Sequence, residues 1–113
     1  MSMLTVAELS EFIRTADKLL TETERQDVID YLAVHPKTGD LLEGTGGVRK
    51  LRWGAVVKAK AVAFASSYFY DELMPLYLLT LFAKGDKDNL TKAERNELQG
   101  LVQILVQIWE RKE

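Results

Sequence analysis

The chain has no cysteine, one histidine (His35) and two prolines, Pro36 and Pro75. Without thiols there is no disulfide scaffold, no thiolate zinc site and no cysteine nucleophile. A single imidazole excludes a multi-histidine metal centre. No apolar run approaches the roughly 20 residues that span a bilayer, and Met1 to Glu11 lack the basic start and long apolar stretch of a signal peptide. Neither sign of charge dominates. The 15 Lys and Arg against 17 Asp and Glu give a net charge of −2, which argues against a general nucleic-acid coat but leaves room for a local basic cleft. What is present is 47% hydrophobic and 28% charged residues in 113, enough for one core and too short for two ordinary domains. The expectation is a soluble, cytoplasmic protein with one domain over residues 1–113, without membrane or metal.

Two capping boxes mark helix starts. In Thr21-Glu22-Thr23-Glu24 and Thr91-Lys92-Ala93-Glu94, a hydroxyl and a carboxylate three residues on can each satisfy the other's free backbone amide. The first helix should stop before Pro36, whose ring disfavours a helical residue ahead of it. The second carries Leu98, Leu101, Val102, Leu105, Ile108 and Trp109 at helical spacing. An earlier helix is expected from about Glu8 to Leu20. Between them the period changes. Leu76 to Ala83 is a short apolar run of the kind found in a strand covered on both faces. Val48 to Trp53 alternates, with Leu51 and Trp53 on one face and Lys50 and Arg52 on the other. Val62 to Tyr70 is a third strand, joined to the next by a hairpin at Asp71 to Pro75, and Met3 to Val6 is a candidate edge strand. The fold class is α+β, with N-terminal helices packed on an antiparallel sheet of three to four strands and a C-terminal helix.

Few residues suggest chemistry. Gly44-Thr45-Gly46-Gly47 precedes a strand and not a helix, so it reads as a turn needing positive φ before it reads as a phosphate loop. Lys50 and Arg52, about 7 Å apart on one strand face, suit adjacent phosphates. Lys84 leaves the end of the last strand and Lys87 follows it. The competing reading is a solvated sheet face with a charged turn. His35 sits at a helix end, where a cation interacts well with the helix dipole. Tyr68-Phe69-Tyr70 can stack bases or fill a core.

The segment Gly44-Thr45-Gly46-Gly47-Val48-Arg49-Lys50-Leu51-Arg52-Trp53 resembles the GTGG-(L/V)-RK-x-RW signature of RelE/HigB-type toxins of type II toxin–antitoxin modules. Tyr77 to Thr91 is similar to their YLLxxYAKxEKDxLT segment, at the right separation. The resemblance implies a RelE-like fold and ribosome-dependent mRNA endoribonuclease activity that needs no cofactor or metal. It implies an antitoxin of helix-turn-helix type, the ribosome and mRNA as partners. Basic side chains would activate the ribose 2′-hydroxyl, neutralise the crowded phosphate and assist the leaving oxygen. Carried over by position, Lys50, Arg52 and Lys84 are the candidate catalytic residues, and Arg49, Lys87 and Tyr68 the candidate RNA-binding residues. The alternatives are a catalytically dead homologue that binds its antitoxin, and an RNA-binding domain without cleavage.

One departure is large. Between the two motifs the family carries a stretch of the type GRGKxKSGGxRVIYY, whose arginine is expected at the scissile phosphate. Here residues 55–67 read AVVKAKAVAFASS, so RNase activity is expected to be impaired. Compensating frame shifts near Gly54 and Ser67, in the gene or in its sequencing, account for the replacement. With third bases chosen to fit, the alternative frame reads GRGKGKSGGVRVI; the alanine after Phe64 is forced to arginine or cysteine. The nucleotide sequence of codons 55–67 should therefore encode a glycine-rich basic string with Arg-Val-Ile in that frame. A stop codon, or cysteine at position 65, would exclude the explanation.

Overall fold

The computed structural model describes residues 4–57, 60–83 and 90–111. Its elements run β1 (Val6–Glu8), α1 (Ser10–Leu19), α2 (Glu22–Val34), β2 (Asp40–Leu41), β3 (Val48–Val57), β4 (Lys60–Phe69), β5 (Leu76–Ala83) and α3 (Lys92–Arg111). Both capping boxes form. Thr21 Oγ1 accepts from the Glu24 amide at 3.1 Å and Glu24 Oε1 from the Thr21 amide at 2.9 Å; Thr91 and Glu94 repeat the exchange at 3.2 and 2.9 Å. No helix among the described residues is long and apolar enough to cross a membrane.

The fold is α+β, and the sheet is larger than the sequence suggests. Among the described residues it has five strands in the order β1-β5-β4-β3-β2, and it is mixed. β1 lies parallel to β5, pairing Val6 with Leu76 and Glu8 with Leu78. The expected edge strand exists, but three residues later and parallel. Its direction follows from a long-range partner that local spacing does not encode.

Strand alternation divides the sheet into two faces. On one face Leu51, Phe64, Tyr68, Leu76, Leu78 and Leu81 pack under α1 and α2, which contribute Phe12, Ala16, Val28 and Leu32. On the other, Val48, Phe69, Met74 and Leu79 meet Val102 and Leu105 of α3. Ile108, expected on the inner face of α3, is 46% exposed. Arg25 ties three elements together. Its Nη2 lies 2.6 Å from Glu8 Oε2 on β1, and its Nη1 2.7 Å from Asp17 Oδ1 on α1. Burial alone would lower the guanidinium pKa, but these two carboxylates hold it above its ordinary value.

The glycine cluster is a turn. Gly46 and Gly47 have φ of 78° and 113°, a region that residues with a Cβ rarely occupy. The hydroxyl of Thr45, just before them, donates to the Leu42 carbonyl at 2.7 Å and accepts from the Val48 amide at 3.1 Å.

A second clamp holds the segment after α2. Tyr68 is fully buried, and its hydroxyl donates to the Pro36 carbonyl at 2.9 Å and accepts from the Gly39 amide at 2.8 Å. A Cβ on Gly39 would come within 2.8 Å of that ring, so the close approach requires glycine. Burial raises the Tyr68 pKa above 10.0, and the Gly39 bond and Arg49 offset this only in part. The folded state thus holds the phenolic proton more tightly than the unfolded chain. The resulting stability is complete below about pH 10 and is lost as pH rises through the folded value. Urea unfolding followed upward from about pH 10 should show this loss, and Tyr68→Phe should remove that part of the slope. At neutral pH the same substitution should cost about 1–3 kcal/mol, because the Gly39 amide stays buried.

Candidate functional site

α3 covers only part of its face of the sheet. The uncovered part, bounded by the first turns of α3 and the edge of α1, is a cleft of about 730 Å³. Its floor includes Lys50 of β3, Ser67 of β4 and Leu79, Thr80 and Phe82 of β5. Arg52 follows Lys50 by two residues on the same strand, so it stands on the same face, and it is exposed. Lys50 pairs with Ser67 and Arg52 with Ala65 across the β3–β4 ladder. The two cations therefore sit opposite small residues, Ser67 and Ala65, both of them buried.

A β-bulge shapes the floor. Along β4, Ser67 pairs with Thr80 but the next residue, Tyr68, pairs with Leu78, so Leu79 is an extra residue in β5. The extra residue shifts the alternation and brings the Thr80 hydroxyl to 2.6 Å from Ser67 Oγ. Ser66, on the opposite face, is buried and donates to the Thr80 carbonyl at 2.9 Å. Ser66 and Ser67 of β4 thus both have hydrogen-bond partners in β5. Sequence reasoning missed Thr80; the one signal for it is a single hydroxyl in the apolar run LYLLTLFA. It also missed the charges facing the sheet. Glu94, Arg95 and Glu97 of α3 and Glu11 of α1 line the cleft, so the described wall carries both signs.

Two of the residues read as RNA-binding lie elsewhere. Arg49 alternates with Lys50 and belongs to the other face, where Nη1 donates to the carbonyls of Gly39 at 2.8 Å and Lys37 at 3.2 Å. Tyr68, its register partner, is fully buried beneath the helices. Neither reaches the cleft, since each is one residue out of phase with the cleft-facing set. Both instead fasten the segment 36–39 to the sheet. Lys84 and Lys87 lie outside the described residues. His35 caps the C-terminus of α2, exposed, with its ring 4.9 Å from that of Tyr31. Among the candidates, Lys50 and Arg52 alone are described on the cleft side.

No protein-family model matches the chain.

The division of faces separates two kinds of effect. Arg49→Ala should lower the melting temperature by several degrees, through loss of its carbonyl contacts. Arg52→Ala should leave stability within about 0.5 kcal/mol, as expected of an exposed side chain. Thermal denaturation of the two variants would check both.

Proposed function

We propose that the chain is a homologue of RelE/HigB-type toxins whose mRNA-cleaving activity is impaired. The observation that carries the reading is the placement of Lys50 and Arg52, from the GTGG-VRK-L-RW motif, on the sheet face that α3 leaves open. In this role Lys50 and Arg52 neutralise the phosphate as the ribose 2′-hydroxyl attacks it, and Lys84 assists the proton transfers. The ribosome presents the mRNA, an antitoxin restrains the protein, and both meet it in the cytoplasm.

The register explains the impairment. Position 65, where the family's pattern has arginine, pairs with Arg52. An arginine there would add a second guanidinium beside the first, on the same sheet face as Lys50. Alanine supplies neither the charge nor the hydrogen bonds. The apolar part of the floor, Leu79 and Phe82 with Leu98 and Leu101 of α3, favours a second reading in which the protein binds its antitoxin without cleaving RNA.

Primer extension on translated mRNA after induction tests the two. Weak cleavage should be abolished by Arg52→Ala and increased at least about tenfold by Ala65→Arg, the reverse of the loss expected when one charge-stabilising donor is removed. Absence of cleavage in both the unaltered chain and Ala65→Arg, with an antitoxin complex still formed, would select the second reading.

A further inference from the structure

The outer edge of β3 is only partly used. β2 pairs with it at Arg49 and Lys50, and among the described residues nothing pairs with it from Leu51 to Val57. The Val48 carbonyl points to this side, accepting from the Leu42 amide at 2.9 Å. Strand alternation therefore turns the backbone N–H and C=O groups of Lys50, Arg52, Gly54 and Val56 the same way. Those of Lys50 face β2; those of Arg52, Gly54 and Val56 face no strand among the described residues. Protein edges are usually blunted by lysine, proline or a bulge. The stretch Leu51-Arg52-Trp53-Gly54-Ala55-Val56-Val57 has one charge, no proline and no bulge against β4.

We propose that this edge pairs with the same edge of a second copy of the chain, antiparallel, about a two-fold axis at Gly54. The occupant is set by the geometry of the gap. The free stretch from Leu51 to Val57 is centred on Gly54, with β2 at one end and the last residue of β3, Val57, at the other. With the axis at Gly54, that residue opposes Gly54 of the partner subunit, Arg52 opposes Val56 of the partner subunit, and Val56 opposes Arg52 of the partner subunit. Each such pair exchanges two hydrogen bonds, so the three pairs make about six. Moving the axis to residue 53 or 55 leaves two pairs and about four bonds. At the Gly54 register no charged residue faces a like charge within the free stretch, and the residue on the axis has no side chain. A Cβ built on Gly54 meets nothing within 4 Å, so its surroundings are open. The contact is isologous and closes on itself, giving a dimer and not a filament. The axis is normal to the sheet, so the two clefts open on the same face. This pairing does not depend on what the cleft binds.

Sedimentation velocity of the intact chain, from low to high micromolar, should show a reversible monomer–dimer equilibrium. Two charge variants fix the register. Val56→Asp, opposite Arg52, should tighten the dimer, and Val56→Lys should loosen it by about tenfold across the two symmetric pairs. Opposite signs from one position do not arise from misfolding. The chain has no cysteine, so Gly54→Cys provides a unique thiol. Residues in a hydrogen-bonded antiparallel pair lie about 5.5 Å apart at Cα, within disulfide range. Under diamide the Gly54→Cys variant should form a covalent dimer quickly, whereas Ala55→Cys, whose partner across the axis is residue 53, should not. A chain that stays monomeric at the highest concentration, or a thiol at 55 that cross-links as fast as one at 54, overturns the proposal.

Discussion

Strand β3 has to serve two environments in alternate residues. Arg49, Leu51 and Trp53 point toward α1 and α2, while Val48, Lys50 and Arg52 point toward α3 and the cleft. A slip of one residue would bury Lys50 and expose Leu51, so the hydrophobic pattern fixes register and site together. The glycine turn at its start, fastened by Thr45, and the Tyr68–Gly39 clamp at its flank both hold that register. Charge at the site is thus placed by the same alternation that fills the core.

The local signals in the sequence were sufficient for much of this architecture. The two capping boxes, the stop before Pro36, the Leu76–Ala83 strand and the opposite faces of Leu51 and Lys50 each rest on spacing within a few residues. The stretch from Val62 to Tyr68 also follows its alternation. Val62, Phe64, Ser66 and Tyr68 share the helix face, and Ala63 and Ala65 the other. What spacing does not carry is anything decided by a distant partner. The parallel pairing of β1 depends on β5, roughly seventy residues on, and the bulge at Leu79 depends on β4.

The site was legible in proportion to how local it is. Lys50 and Arg52 follow from one strand's parity. Tyr68 and Arg49 look the same in a motif, yet the first is consumed by two buried hydrogen bonds and the second by backbone carbonyls. Motif position alone does not distinguish a residue that meets a ligand from one that holds the loop beside it. The carboxylates of α1 and α3 reach the cleft only through packing, and no periodicity in the chain brings Glu11 toward Glu97.

The bulge at Leu79 divides the sheet into ends of unequal security. On one side of it β5 lies between β4 and β1, with Tyr68 and Leu78 fully buried. On the other, among the described residues Leu81–Ala83 has only its ladder to Phe64–Ser66, because β1 pairs no further than Leu78. That end is also the cleft floor. Amide protons there would exchange with solvent through small local openings, long before the clamped end lets go. The cleft end of the sheet is therefore its less protected end in the backbone ladder, although Leu81 and Phe64 there still pack into the core beneath α1 and α2.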